Sequence, residues 1–222
     1  MENIFYCLFF HIVEKERLLE KLQREGYLRS ERVIEAMRKI PREIFVPERE
    51  RKYAYADMPL EIGHGQTISA PHMVALMLEE LKLKEDSKIL EIGTGTGYHA
   101  ALAATIADKG MVYTMERVRE LAEKAKENFK KLGIKNVEVI VGDGSEGLPE
   151  HAPYTHIYAT CSAPSIPSPL IEQLDKGGRL LIPVGRIYGE LWLVEKGDGI
   201  KKRKVVGCAF VPMVGRRGYD ES

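Results

Sequence analysis

The chain has 222 residues, 44% of them hydrophobic and 30% charged, which is enough for one well-buried α/β domain and too few for two. Its 33 lysines and arginines balance 33 aspartates and glutamates, so the net charge of zero argues against a nucleic-acid or anionic-membrane surface. Cys7, Cys161 and Cys208 are odd in number and lack CxxC spacing, which argues against a disulfide framework and suits a reducing, cytoplasmic setting.

The first feature along the chain is the apolar run from Ile4 to Val13. Glu2 and Asn3 precede it in place of a positive segment, no small-residue cleavage site follows, and about ten residues cannot span a bilayer. Glu14 to Arg24 and Ser30 to Ile40 carry apolar residues at helical spacing, and Gly26 separates the two. Ser30 suits the N-cap of the second helix and Pro41 stops it. From Lys88 the pattern alternates: a strand at Lys88 to Ile92, an alanine-rich helix at Tyr98 to Ala107, and a strand at Met111 to Met115. A helix from Arg117 to Leu132, closed by Gly133, leads to a third strand at Val137 to Val141. Thr155 to Ala159, a helix at about Ser168 to Leu174, and Leu180 to Pro183 continue the alternation. Strands joined through helices imply a doubly wound, mostly parallel sheet with helices on both faces. Leu191 to Glu195 and Val205 to Val211 flank Gly197-Asp198-Gly199, so the last strands should form an antiparallel hairpin, with the basic run Lys201 to Lys204 in its solvated loop. Asparagine and glutamine are scarce beside Lys, Arg and Glu, a bias of proteins from hot environments.

Glu91-Ile92-Gly93-Thr94-Gly95-Thr96-Gly97 follows a strand and opens a helix, the place where an open parallel sheet binds ligands. Alternate glycines let the backbone come within contact distance of a ligand. A dinucleotide fingerprint would need glycine where Tyr98 stands, and there is no GxxxxGK[ST] stretch, so a phosphate cradle is disfavoured. Glu116 ends the second strand, where a carboxylate can accept both hydroxyls of a ribose; Asp143, beside Gly144, can accept from an adenine amino group. Glu91, Gly93 to Gly97, Glu116, Asp143 and Gly144 therefore form the expected cofactor site, suited to a nucleoside without phosphate.

These residues resemble those of the Rossmann-type S-adenosylmethionine methyltransferases, and more closely the protein-L-isoaspartate O-methyltransferase family. The resemblance runs through Phe45-Val46-Pro47, Ala54 to Leu60, Gly65-Gln66-Thr67-Ile68-Ser69-Ala70-Pro71-His72-Met73, the glycine loop, Gly177 to Leu180, Ile182 to Gly185 and Phe210-Val211-Pro212. The glycine loop is shared by many methyltransferases, whereas the Gly-Gln-Thr-Ile-Ser-x-Pro segment is specific to this family. It implies S-adenosylmethionine as cofactor, S-adenosylhomocysteine as product, and isoaspartyl peptides and proteins as substrates of a cytoplasmic monomer with no nucleic-acid or membrane partner. One domain is then expected over residues 1–222, with 1–16 an extension that has no counterpart and about 14–84 a helical cap and substrate segment. The chain departs from the family at Thr155, where aspartate is usual, and at Cys161 and Ser162, where small residues are.

The sulfonium of such a cofactor carries its own leaving group, and a carboxylate with a pKa of about 4 is already ionised at neutral pH, so no general base is required. The task is to strip water from the carboxylate and align it. Ser69 precedes Pro71, with Val74, Met77, Leu78 and Leu81 following at helical spacing, so it should sit at a helix N-terminus that favours an anion. The resemblance puts substrate contacts on Thr67 and Ser69, with Gln66, Ile68, Ala70, His72 and Val214 beside them and Ser69 as the catalytic residue. His64, His72 and His99 lack metal-ligand spacing, and no metal is implied. The cofactor features alone would equally suit a methyltransferase acting on RNA or a small molecule, or a cofactor-binding module without catalysis.

Overall fold

The computed structural model describes residues 2–186 and 188–220, with side chains described from Phe10 onward. Helix α1 spans Glu2–Arg24, so the apolar run and the periodic segment after it form one helix. Its Leu18, Leu19 and Leu22 are buried and pack with Val33, Ile34 and Met37 of α2 (Glu31–Lys39). Ser30 is the N-cap of α2, but its hydroxyl turns away and donates to Glu79 Oε1 at 3.0 Å. The hairpin β1 (Leu60–Gly63) and β2 (Gln66–Ile68) follows, joined through His64 and Gly65, both at positive φ. Then comes α3 (Pro71–Leu81).

The remaining elements build the sheet: β3 (Lys88–Ile92), α4 (Tyr98–Ile106), β4 (Met111–Glu116), α5 (Arg119–Leu132), β5 (Val137–Val141), β6 (Tyr154–Ala159), α6 (Ser168–Glu172), β7 (Leu174–Val184), β8 (Gly189–Lys196) and β9 (Ile200–Cys208). The strand order is β5-β4-β3-β6-β7-β8-β9. The first five strands in that order are parallel to their neighbours, and β7-β8-β9 pair antiparallel. The expected architecture is present. Because the chain steps outward from β3 through β4 to β5 and then crosses back to place β6 on the other side of β3, the switch point of the order lies at the C-terminal ends of β3 and β6, where the chain enters the glycine loop.

Two boundaries differ from the sequence reading. Strand β7 begins at Leu174, where a helix end was expected, and β9 begins directly after the glycine turn, so Lys201 to Lys204 lie in an edge strand and not in a loop. Long charged side chains on an edge keep it from pairing with another chain. Arg203 bonds Glu80, and Lys204 pairs with Glu190 and lies 5.4 Å over the Trp192 ring. The apolar core divides into a large cluster holding α1 to α4 and a smaller one around β6, β7 and α6.

Candidate functional site

The glycine loop leaves β3 with φ +96° at Gly93, a conformation that a side chain would strain. A Cβ there would lie 2.5 Å from Thr160 Oγ1, whose hydroxyl donates to the Gly93 carbonyl. The loop is pinned from behind: the N–H groups of Gly93 and Thr94 both donate to Met115 O, at 2.9 and 3.2 Å. Thr94 Oγ1 lies 2.6 Å from Thr114 Oγ1, and Thr114 donates to Glu91. Thr96 donates to Phe45 O at 2.6 Å and Gly97 is the N-cap of α4. Glu91 is fully buried, and burial, opposed by the Thr114 hydroxyl, lifts its pKa to about 8. It stands beneath the loop, outside the lining of the cleft, and reaches it through Thr114 and Thr94.

Glu116, 6% exposed, lines the cleft in front of the loop. Its Oε2 accepts the Gly95 N–H at 2.8 Å and its Oε1 the Val118 N–H at 3.0 Å, so the loop aims the carboxylate and each oxygen keeps a lone pair for a ligand. Gly144 lines the same cleft, and a Cβ on it would come 2.7 Å from Ile92 Cγ2. Asp143 is turned toward the C-terminal segment. Its Oδ1 accepts from Ser145 N at 2.9 Å and its Oδ2 from Arg216 N at 2.8 Å. Val211 to Val214 form the facing wall, held there because Ser162 N donates to Val211 O and Met213 N to Ser162 O, each at 2.8 Å. Cys161 is part of the wall, so two of the departures from the family support this segment.

On the other side of the loop a smaller pocket is lined by Thr67, Ile68 and Ser69 against Gly93, Gly95 and Thr96. Thr67 belongs to both cavities, as do Gly93, Gly95 and Thr160, so the two adjoin across the glycine loop. Gln66 faces the larger one, its amide 3.3 Å from His64 O. Ser69 lies just before α3, whose N-cap is Ala70. The helix N-terminus does hold an anion, as the dipole argument expects, but it is the chain's own. Asp57 Oδ1 accepts from the His72 N–H and faces His72 Nδ1, each at 2.9 Å, while Lys21 Nζ reaches Asp57 Oδ2 at 2.9 Å. Burial pushes the Asp57 carboxyl up, yet these partners together hold it below its usual range. His72 is thus engaged with Asp57 and stands outside the lining of either cavity.

Arg42 was not legible as a site residue, because nothing in sequence marks a buried arginine. It is fully buried; its Nε donates to Ala54 O and its Nη2 to Ser69 O, both at 2.8 Å, and its guanidinium lies 5.0 Å from the Tyr98 ring centroid. Burial lowers its pKa to about 10, still charged at neutral pH. Ile62 and Thr160 were also missed. Thr160 stands at the C-terminal end of β6, next to the switch point, and the sheet rule that found the glycine loop could have found it. Of the expected residues, the fold brings Gly93, Gly95, Glu116, Gly144, Gln66, Thr67 and Val214 around one cleft and Thr94, Thr96, Ile68 and Ser69 around the adjoining one.

The family model described as protein-L-isoaspartate(D-aspartate) O-methyltransferase matches residues 13–218. A protein-L-isoaspartate O-methyltransferase of Methanopyrus kandleri is 54% identical over 212 residues, covering 93% of this chain and 94% of the relative. One from Archaeoglobus fulgidus is 53% identical over 207 residues, covering 93% and 96%. Among solved structures, a protein-L-isoaspartate O-methyltransferase superposes with a TM-score of 0.83 at 33% identity, over 92% of this chain and 67% of the other. A Plasmodium falciparum protein of the same description, in complex with S-adenosyl-L-homocysteine, gives a TM-score of 0.82 at 30% identity, over 90% and 98%.

Proposed function

The chain belongs to the protein-L-isoaspartate(D-aspartate) O-methyltransferase family, and on that premise we propose how its own residues divide the work. The reaction moves a methyl group from S-adenosylmethionine to the free α-carboxylate of an L-isoaspartyl residue in a damaged protein. The cofactor supplies an electrophilic methyl on a sulfonium and leaves as S-adenosylhomocysteine.

The residues suit that group: close backbone at Gly93 and Gly144, an acidic acceptor at Glu116, and no phosphate-binding loop. Glu116 would accept the ribose hydroxyls. Gly93 and Gly95 would carry the nucleoside and amino-acid portions on backbone that lines both cavities, with Gly97 buried against Phe129 at the start of α4 and Glu91 holding the loop from below. Asp143 and Gly144 would bound the adenine end, Asp143 by fixing the C-terminal wall and with a lone pair left for an amino group. On the peptide side Thr67 and Ser69 would hold the carboxylate, with Gln66 and Ile68 shaping the groove, Val214 flanking it, and Ala70, the buried N-cap of α3 outside both linings, and His72, acting through Asp57, setting where Ser69 stands. Ser69 is the residue assigned to the reacting carboxylate: its carbonyl is held by Arg42, and among the described residues its hydroxyl has no partner. A carboxylate arrives ionised, so these residues need only desolvate and aim it.

The observation that carries this reading is the shared wall of the two cavities at Thr67, Gly93, Gly95 and Thr160. It sets a donor site and an acceptor site side by side. The family resemblance would further suit a cytoplasmic monomer; among the described residues no helix is long and apolar enough to cross a membrane.

The test is methyl transfer to paired peptides differing only in an isoaspartyl or aspartyl linkage. In isoaspartate the free carboxylate sits directly on Cα, and in aspartate one methylene further out. A displacement of about 1 Å costs roughly a hundredfold when catalysis rests on alignment, so the isoaspartyl peptide should be strongly preferred. Comparable specificity constants would remove the isoaspartyl reading and leave the methyltransferase class standing.

A further inference from the structure

The tip of the β8–β9 hairpin is Gly197-Asp198-Gly199, all three residues exposed, with the Asp198 side chain 94% exposed. An aspartate followed by glycine is where isoaspartate arises most readily. The peptide nitrogen of the next residue must reach the side-chain carbonyl carbon, and glycine puts no Cβ in the way. Nothing stands within 4 Å of the place a Cβ would occupy on Gly199. Among the described residues the one partner of the Asp198 carboxylate is Lys176 Nζ at 2.8 Å, an exposed pair that restrains it little.

Among the described residues, the other aspartates that precede glycine or serine are held. Asp143 also precedes a glycine, but both its oxygens accept backbone N–H groups and Gly144 is buried against Ile92. Asp86 precedes Ser87, which is 1% exposed and whose N–H is bonded to Lys84 O.

We propose that Asp198 is this protein's own isomerisation site, and that the isoaspartate formed there is methylated by a second copy of the chain. In the first stage the Gly199 nitrogen attacks Asp198 Cγ. A C–N bond forms, and one carboxyl oxygen leaves as water with the amide proton and a second proton from solvent, closing a succinimide. Water then adds at the former peptide carbonyl and breaks its C–N bond, so that the chain continues through Cγ and a free carboxylate remains on Cα. One water is lost and one gained, with no change of oxidation state. The second stage is the established reaction, on this carboxylate.

The topology decides that it runs between molecules. Glu195 is level with Arg179, Arg179 with His156, and His156 with Ile89, so the hairpin tip lies past the N-terminal ends of the parallel strands. The glycine loop lies past their C-terminal ends. The separation along the strands is about seven residue rises, roughly 23 Å, with two strands, β6 and β7, between, and a tip anchored in the β8–β9 ladder cannot cover that within its own fold.

The inference rests on the isoaspartyl methyltransferase reading, and the experiment separates the two. The purified full-length protein is aged warm at neutral pH, and isoaspartate is located by peptide mapping before any cofactor is added. Labelled S-adenosylmethionine then follows, with an isoaspartyl peptide as control. Isoaspartate should accumulate at residue 198 several-fold above residue 143, label should enter the same fragment, and labelling per molecule should rise with total enzyme concentration. Asp198→Glu, which cannot close the five-membered ring, should keep full activity on the control peptide and lose most self-labelling. Isoaspartate at 198 no higher than at 143, or undiminished label in Asp198→Glu, overturns the site. Labelling per molecule independent of concentration overturns the reaction between copies. A dead control peptide overturns the activity reading instead.

Discussion

Two side chains separate the two halves of the reaction at the scale of single residues. Ser69 lines the smaller cavity and keeps its carbonyl on Arg42, so removing the hydroxyl leaves the loop anchored. Glu116 is bonded to the cofactor loop at the Gly95 N–H and to the Val118 N–H at the start of α5. The expected result is therefore a double dissociation. Ser69→Ala should raise the peptide KM or lower kcat, partially because neighbouring groups remain, while cofactor affinity measured by calorimetry stays within error. Glu116→Ala should do the reverse at binding, losing a charged acceptor worth roughly 1.5 to 3 kcal/mol, about a ten- to hundredfold weakening. A Ser69→Ala enzyme equal to the unaltered one at saturating and subsaturating peptide would reduce Ser69 to a backbone anchor. Unchanged calorimetry for Glu116→Ala would take that carboxylate out of the site.

Elements were legible to the degree that their signal is local. The strand, glycine loop and helix from Lys88 to Ile106 carry period, turn and cap signals in adjacent residues, and the fold has them where the sequence puts them. The hairpin of β1 and β2 has no counterpart in the sequence reading, because strands of four and three residues give no alternation to count, and it is the hairpin that brings Thr67 beside Gly95. The helix end at Ser69 was nearly placed, but the anion that fills it, Asp57, comes from twelve residues upstream of Ser69 through tertiary contact, which no local pattern encodes. Thr155 shows the same limit. Sequence marks it only as a departure from the family, whereas in the fold its hydroxyl accepts from Lys88 N at 2.9 Å and donates to Lys88 O at 3.0 Å, tying the start of β6 to β3. Thr155→Val keeps the shape and removes both bonds together with the one to His156 Nδ1 at 2.9 Å, so it should destabilise by about 1 to 3 kcal/mol. The site lies about 16 Å of strand away from Thr160, so cofactor affinity should not move. An unfolding midpoint equal to that of the unaltered protein would show that the hydroxyl does not hold the strand.

Global stability gathers the buried ionisable groups into one pH profile, and the signs can be worked out. Burial holds Glu91 near a pKa of about 8 against an ordinary value of 4.5, so over that window the folded chain keeps a proton that the unfolded chain has lost. Stability from this group is full below pH 4.5, falls as pH rises, and is gone above about 8. His99 and His156 are depressed by burial to about 3 and about 4 from 6.5, with the charges of Arg179 and Lys84 adding to the burial of His156. There the unfolded chain binds the extra protons, so stability from these groups rises with pH up to 6.5, and between pH 4.5 and 6.5 the two together outweigh Glu91. Above 6.5 both histidines are neutral folded and unfolded alike, and Glu91 acts alone among these three. The slope it imposes is at most about 1.4 kcal/mol per pH unit. Glu91→Gln keeps an acceptor for Thr114 and cannot titrate; the cost of its buried amide is the same at every pH. The expected outcome in guanidinium unfolding between pH 6.5 and 8 is a midpoint that falls for the unaltered protein and stays flatter for Glu91→Gln, so that their difference shifts by about 2 kcal/mol across the window. The other titrating groups are common to both chains and drop out of that difference. Parallel profiles would mean that Glu91 is already ionised at pH 6.5, and that the carboxylate beneath the glycine loop carries its charge into the fold.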